Sequence, residues 1–311
     1  QQQPRQPVYR VEVDLVLLNV AVTDRGGHYI RGLRPADFRV FEDGIPQKLA
    51  MFSEAGGIPE QVATVEGRPL PALLAGSSIF VLFDTSNYMY RGFVYAQDAI
   101  TDFIRGLESQ DAVAVYGFSR NLLRACPLTS DRRRALMGVR QVVAGDDTSL
   151  YNALLLTLKD AAAVPGRKVV VVFSNGPDNA SMVSPEAVRE FAENEGIPIY
   201  MISTQDLARD EISSTVFQRI TGRTGGKSYF ARTWQKQAEA FTSVRQDLAH
   251  LYMLCYYPAP NANMGWRSIT VELQGEAARK YRLRTRTGYR PKVPASQASL
   301  GSTPAGSLNT P

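Results

Sequence analysis

Oxygen-bearing side chains follow two apolar stretches of the chain and recur in a loop between them. Asp84 and Ser86 come directly after the first stretch, Asn175 comes after the second, and Thr148 lies in the loop between. Carboxylate, hydroxyl and amide oxygens are the ligands that Mg²⁺, Mn²⁺ and Ca²⁺ prefer in proteins. These residues therefore predict an all-oxygen cation site, provided that the fold brings the three loops together.

The composition argues against most other chemistry. The 311 residues include only two histidines, His28 and His250, and two cysteines. A zinc site of four cysteines cannot be built, and one of two cysteines and two histidines would use the whole supply at the wrong spacing. Neither histidine has a nucleophile near it in sequence, so we expect no enzyme. A hydrolase with an unusual site is kept as a third alternative.

Charge and hydropathy exclude two classes of partner. The formal net charge is +5, but the basic residues are spread along the chain in short runs. A nucleic-acid-binding protein usually shows a clustered basic face, so we expect no nucleic-acid partner. No apolar run reaches the length of about 18 residues that a membrane helix needs, so we expect no membrane span.

Strands and helices alternate through the middle of the chain and must position the oxygen-bearing loops. Residues 78–83 and 168–173 are short apolar runs, typical of strands buried on both faces. The alternation predicts an α/β fold, a doubly wound and mostly parallel sheet in which ligands bind beyond the carboxyl ends of the strands. The other predicted elements are strands at 112–118, 122–128 (an edge strand), 197–202 and 227–230, and helices at 89–107, 131–143, 148–163, from 185, 210–222 and 234–249.

Both ends of the chain instead have β character. We predict strands at residues 8–22, 38–42 and 47–52, and again at 251–257, 267–273 and 281–287. Short isolated β units are marginally stable, so the two ends are expected to form one β module. The predicted organisation is an N-terminal β segment (1–58), a linker (59–76), an α/β domain (77–249), a C-terminal β segment (250–290) and a Ser/Pro/Gly-rich tail (291–311).

Several motifs in a fixed order resemble a known family. They are Gly32-Leu33 followed by Asp37-Phe38 and Glu42-Asp43-Gly44, the segment from Tyr252 to Pro258, and the segment from Arg286 to Tyr289. With the loops above, the chain resembles von Willebrand factor type A domain proteins, and more narrowly the acidobacterial secreted relatives, over about residues 10–290. The resemblance implies a six-stranded sheet in the order 3-2-1-4-5-6 and a binding face at its top.

The family's metal-ion-dependent adhesion site has the pattern Asp-x-Ser-x-Ser, with a Thr and a second Asp in later loops. Asp84, Ser86 and Thr148 match this pattern, whereas Tyr88 replaces the second Ser and Asn175 replaces the second Asp. Loss of one carboxylate weakens the compensation for dehydrating a small divalent ion. We therefore predict a degenerate site and no certain cofactor. The alternative is Mg²⁺ or Ca²⁺ bound by Asp84, Ser86, Thr148 and Asn175.

Other residues near these loops could form a contact surface. Tyr88, Tyr90, Asp147 and Asp178 are predicted to form an interaction rim, since tyrosine is favoured in protein–protein contacts. Simple packing is the alternative for the tyrosines.

Two further features each allow two interpretations. In an exported protein, Cys126 and Cys255 could form a disulfide, and two buried free thiols are the alternative. Arg282, Arg284 and Arg286 share one strand face, which predicts a solvated face or a site for an anionic partner.

The leading functional prediction is a secreted, non-enzymatic protein–protein interaction or adhesion module. It would lie outside the cell or at the cell surface, with a signal peptide removed before Gln1. The alternative is a structural subunit of an extracellular homo-oligomer or filament. In that case residues 1–10 or the tail would add a strand to the sheet edge of the next copy.

Overall fold

The computed structural model describes residues 15–54, 64–65, 68–69, 76–204 and 211–291, with only the backbone for residues 64–65, 68–69, Tyr90 and Arg91. The strands in these ranges are β1 (Val16–Thr23), β2 (Phe38–Glu42), β3 (Ile45–Gln47), β4 (Leu49–Glu54), β5 (Thr64–Val65), β6 (Arg68–Pro69), β7 (Ser77–Asp84), β8 (Ala112–Phe118), β9 (Leu122–Thr129), β10 (Arg167–Ser174), β11 (Ile199–Ser203), β12 (Ser228–Phe230), β13 (Tyr252–Tyr256), β14 (Arg267–Leu273), β15 (Arg282–Arg284) and β16 (Gly288–Tyr289). The helices are α1 (Phe93–Arg105), α2 (Arg132–Gln141), α3 (Leu150–Ala162), α4 (Pro185–Asn194), α5 (Glu211–Thr224), α6 (Trp234–Leu248) and α7 (Ala277–Lys280).

A six-stranded sheet forms the centre of the α/β unit. Its order is β9-β8-β7-β10-β11-β12, and all neighbours are parallel except β9, which runs antiparallel to β8. Counted within the unit this is 3-2-1-4-5-6, so the expected order is confirmed. Helices α1, α2 and α6 cover one face of the sheet, and α3, α4 and α5 cover the other. The fully apolar strands are thus buried on both sides, as their sequences predict.

Capping residues set where these helices begin. The Asp131 side chain accepts the N–H groups of Arg133 and Arg134, and Ser184 accepts that of Ala187 ahead of a proline at the first helical position. Each such cap stabilises its helix by about 1 kcal/mol. The helix predicted at 89–107 begins only at α1, because residues 87–92 form a 3₁₀ turn before it.

Strands from both ends of the chain form the β module. One sheet has the order β15-β1-β13-β4 and the other β16-β14-β2-β3, so each sheet combines early and late strands. Leu18, Tyr252 and Phe38 belong to the apolar core between the two sheets. The prediction that the two ends form one β module is confirmed.

Two predicted strands of the β module are wrong in their extent. The strand predicted at 47–52 is divided, since β3 pairs with β2 while β4 crosses to pair with β13 in the other sheet. That crossing buries Met51 beside Cys255 and packs Phe52 against Tyr252. The strand predicted at 281–287 ends at Arg284, beyond which the chain turns towards the α/β unit. Residues 8–14 and most of the predicted linker lie outside the described residues.

A buried polar cluster joins the β module to the α/β unit at the carboxyl-terminal end of α6. The Asp247 carboxylate is fully buried and accepts hydrogen bonds from the Tyr29 hydroxyl (2.7 Å), the Tyr200 hydroxyl and the Arg284 guanidinium. Arg286 is also buried and donates to the Glu193 carbonyl oxygen at 2.9 Å. The prediction of a solvated strand face is therefore wrong for Arg284 and Arg286, because both side chains donate hydrogen bonds to acceptors inside the molecule.

The predicted disulfide between Cys126 and Cys255 is not formed. Both cysteines are free and buried. Cys126 packs in the core beneath α2, whereas Cys255 lies in a separate cluster with Met51 and Met253. The alternative of two buried thiols is the arrangement found.

Candidate functional site

The carboxyl ends of β7 and β10 are neighbours, and each ends in a polar side chain. Asp84 is the last residue of β7 and is 0% exposed. The Ser174 hydroxyl at the end of β10 donates to Asp84 Oδ2 at 2.6 Å, and the Ser86 backbone N–H donates to Asp84 Oδ1 at 2.9 Å. Adjacent parallel strands thus bring two of the predicted loops together.

Backbone hydrogen bonds hold the loop with Thr148 against both of the others. The Gly145 N–H donates to the Thr85 carbonyl oxygen at 2.8 Å, which fixes this loop beside the one after β7. The Thr148 N–H donates to Asn179 Oδ1 at 3.0 Å, and the Asn179 N–H returns a bond to the Thr148 carbonyl oxygen at 3.2 Å. The structure therefore places Asp84, Thr148 and the loop after β10 at one edge of the sheet.

Three side-chain oxygens at this edge are buried and lack a hydrogen-bond partner among the described residues. They are Ser86 Oγ, Thr148 Oγ1 and Asn175 Oδ1. Leaving a buried acceptor unsatisfied costs about 1–3 kcal/mol, so proteins rarely do it without a reason. All three belong to the four positions that the sequence indicates as cation ligands. Their oxygen chemistry and burial fit a hard divalent ion.

The charge at the site is lower than the oxygen count suggests. Within the described ranges, no group of three or more His, Cys, Asp or Glu side chains is placed to hold a metal ion. Burial raises the pKa of Asp84, and the hydrogen bond from Ser174 only partly opposes that rise. A cation here would be held by one carboxylate and three neutral oxygens, and its chemistry would be to attract an anionic group of a partner. These donors fit such an ion, with weak charge compensation.

The predicted rim is only partly available as a contact surface. Tyr88 is 52% exposed. The side chain of Tyr90 lies outside the described residues. Asp147 pairs with Arg120 at 2.9 Å, and Asp178 accepts the Tyr151 N–H at 2.9 Å, so Asp178 shapes its loop.

The same edge of the sheet also carries apolar side chains that the sequence reading largely missed. Twelve large apolar side chains are exposed in the described part of the chain. Eight of them lie on loops, helix ends or strand ends at this edge: Tyr88, Val94, Tyr95, Leu123, Val143, Met182, Ile212 and Trp234. A signal for them exists in the sequence. Val94 and Tyr95, for example, fall between the core positions of α1 and so point away from the core.

A family comparison matches the part of the chain that carries this site. The model of the von Willebrand factor type A domain matches residues 79–177. This stretch contains all four candidate ligand positions of the adhesion-site pattern. The narrower resemblance to secreted acidobacterial relatives remains a prediction, and no curated protein matches the chain.

Solved structures with a similar shape come from several bacteria. A von Willebrand factor type A protein from Catenulispora acidiphila has 12% identity over 81% of this chain and 74% of its own, with a TM-score of 0.47. An aerotolerance-related membrane protein from Bacteroides fragilis has 18% identity over 56% of this chain and 98% of its own, with a TM-score of 0.47. The von Willebrand factor domain of the type V pilus tip protein Mfa5 from Porphyromonas gingivalis has 11% identity over 55% and 94%, with a TM-score of 0.46.

Proposed function

We propose that this chain is a non-enzymatic protein–protein interaction module of the adhesion type that binds its partner at the carboxyl edge of the six-stranded sheet. The concentration of exposed apolar side chains at that edge carries the proposal. Tyr95 is 60% exposed and Met182 is 93% exposed, whereas the apolar side chains of the central strands β7, β10 and β11 are buried. Exposed apolar and aromatic groups gathered on one face favour a contact surface.

The match to the von Willebrand factor type A domain supports this edge as the binding surface. The matched stretch contains the loops that carry the three unpartnered oxygens, and these loops lie at the same edge as the apolar side chains. We propose that the metal site is degenerate and binds Mg²⁺ or Ca²⁺ too weakly to keep an ion permanently. Contact with the partner would then rest on the apolar rim rather than on a resident metal.

The partner contact can be tested with matched tyrosine variants. The wild-type chain is cross-linked in its native setting, and the captured partner is identified and then produced for direct binding. Tyr88→Ser with Tyr95→Ser should weaken that binding at least about tenfold, as expected for exposed aromatic hot spots. Tyr257→Ser removes a tyrosine of the β module that is 46% exposed and should leave binding unchanged. Equal binding by both variants would refute the proposed surface.

Calorimetric titration tests the metal part separately. Mg²⁺ or Ca²⁺ that saturates the wild-type chain tightly, with binding lost in Asp84→Ala, would show that the site is not degenerate. Weak or undetected binding by the folded chain agrees with the proposal.

A location outside the cell remains a prediction of the sequence. Among the described residues, no helix combines the length and the hydropathy needed to cross a bilayer. The alternative of a filament subunit depends on residues 1–10 and 292–311, which lie outside the described residues. A monomeric mass of the full chain in light scattering would exclude that alternative.

A further inference from the structure

Asn175 is followed by Gly176, and this is the only Asn-Gly pair in the sequence. Glycine has no Cβ, so its backbone nitrogen can approach the preceding side-chain amide more closely than that of any other residue. Gly176 also adopts a positive φ of 111°, a conformation that side-chain-bearing residues rarely take. The Gly176 nitrogen is therefore sterically free to approach the side-chain amide of Asn175, which is one of the candidate cation ligands.

The side chain of Asn175 lacks the hydrogen bonds to the backbone that hold other asparagine side chains near it. Asn175 Oδ1 is buried with no hydrogen-bond partner in the described part of the chain. In contrast, Asn179 Oδ1 accepts the Thr148 N–H at 3.0 Å, and Asn152 Oδ1 accepts the Val183 N–H at 3.1 Å. Asn175 is thus the buried asparagine at this edge whose side-chain carbonyl is not committed to the backbone.

The Gly176 nitrogen is aligned with a proton acceptor. Its N–H donates to the Ser174 hydroxyl oxygen at 3.1 Å instead of to a neighbouring strand. That hydroxyl is itself oriented by its 2.6 Å hydrogen bond to Asp84. Ser174 therefore contacts the atom whose proton must leave when the nitrogen acts as a nucleophile.

We propose that Asn175 is a site of spontaneous deamidation in the folded chain, which converts the degenerate site to one with two carboxylates. The Gly176 nitrogen forms a bond to Asn175 Cγ, and the bond from Cγ to the amide nitrogen breaks. Ammonia leaves with the proton of the Gly176 nitrogen, which Ser174 Oγ relays. Water then opens the cyclic imide at either carbonyl carbon and leaves aspartate or isoaspartate at position 175.

The aspartate product would stand beside Asp84 at the position where the family pattern has its second Asp. A second carboxylate adds the charge that the site lacks for a divalent ion. This consequence rests on the proposed function, because it assumes that the four oxygens face one ion. The conversion itself does not rest on it, since it is a change in covalent structure.

Site-resolved mass spectrometry tests the conversion. The purified full chain is kept folded at mildly alkaline pH, then digested, and the amide content is read at Asn175 and at the control position Asn179. We expect loss of the amide at Asn175, with both products present and an equal amount of ammonia released, while Asn179 stays intact. An unchanged Asn175 in the folded chain, under conditions that convert it in urea, would overturn the proposal.

Two serine variants test the relay. Ser174→Ala should slow the conversion, whereas Ser174→Thr keeps a hydroxyl and should preserve most of the rate, with circular dichroism used to check that both fold. Equal rates in Ser174→Ala and Ser174→Thr would refute the role of the hydroxyl.

A Ca²⁺ titration of fresh and aged chain tests the consequence for the site. The fraction carrying aspartate should bind at least about tenfold more tightly than the fresh chain, which corresponds to about 1.4 kcal/mol. Equal affinities, with conversion demonstrated by mass, would refute the gain of a metal site. Neither result alters the test of partner binding with the tyrosine variants.

Discussion

Replacing Asp247 by alanine should destabilise the fold more than almost any other single change. The carboxylate is fully buried and accepts from the Tyr29 and Tyr200 hydroxyls and from Arg284. Removing it leaves the two hydroxyls without this acceptor and takes the carboxylate from Arg284, which keeps the backbone carbonyl oxygens of Gly225 and Gly226. Breaking a buried ion pair in this way costs about 3–5 kcal/mol. A typical domain has only about 5–15 kcal/mol of total stability.

Urea unfolding followed by tryptophan fluorescence and by circular dichroism measures this effect. The chain has two tryptophans, and Trp266 lies in the β module next to β14. In a Trp234→Phe background, fluorescence therefore reports on the β module, while far-ultraviolet circular dichroism reports on the helices. We expect the fluorescence midpoint of Asp247→Ala to fall at least as far as the helical one.

Matched variants separate the ion pair from a general effect of losing charge. Asp102→Ala removes an exposed carboxylate that pairs with Arg105 at 3.3 Å, and should change the free energy of unfolding by less than about 1 kcal/mol. Asp247→Leu combined with Arg284→Leu removes both charges and should be less destabilising than Asp247→Ala. A loss below about 1 kcal/mol in Asp247→Ala would refute the reasoning about the buried cluster.

Four further predictions concern the site and the cysteines. Asn175→Asp should tighten Ca²⁺ binding in calorimetry at least about tenfold, and an unchanged affinity would mean that position 175 does not face the ion. Because burial raises the pKa of Asp84, the neutral isostere in Asp84→Asn should raise the free energy of unfolding at neutral pH. That gain should shrink as pH falls through the folded pKa, and urea titrations at several pH values will show a constant gain if this reasoning is wrong. Burial raises the pKa of Cys255 from 9.0 to about 12, so this thiol should lower stability by up to about 1.4 kcal/mol for each unit by which pH rises between those values, and Cys255→Val should remove that part of the slope. A thiol reagent should modify neither Cys126 nor Cys255 in the folded chain and both in urea.

The α/β unit was largely predictable because its elements have strong local signals. Strand β8 was predicted with its observed bounds, and the side chains that cap α2 and α4, Asp131 and Ser184, come directly before the helices in sequence. The order of the strands came from the family resemblance rather than from any residue pattern. Local patterns do not encode which strands pair, since pairing depends on contacts between distant parts of the chain.

The β module and its junction were less predictable for the same reason. Alternation predicts that Arg284 and Arg286 share one strand face. The strand ends at Arg284, however, and the acceptors of the two side chains, Asp247 and the Glu193 carbonyl oxygen, are far away in sequence. For the candidate site, the sequence identified Asp84, Ser86, Thr148 and Asn175. It could not show that three of their oxygens are buried and unpartnered, which only the packing of three loops determines.

The pairing of β1 with β13 also sets the order in which the chain can fold during synthesis. Val16 lies opposite Tyr256 and Thr23 lies opposite Arg282, so the first strand of the described chain has no partner until nearly the whole chain has been made. At translation rates of about 5–20 residues per second, the wait is on the order of tens of seconds. The strands and helices of the six-stranded sheet emerge in the meantime and can fold first. Among the described strands, β1 therefore waits longest for its partners, and its apolar residues stay unpaired for that time.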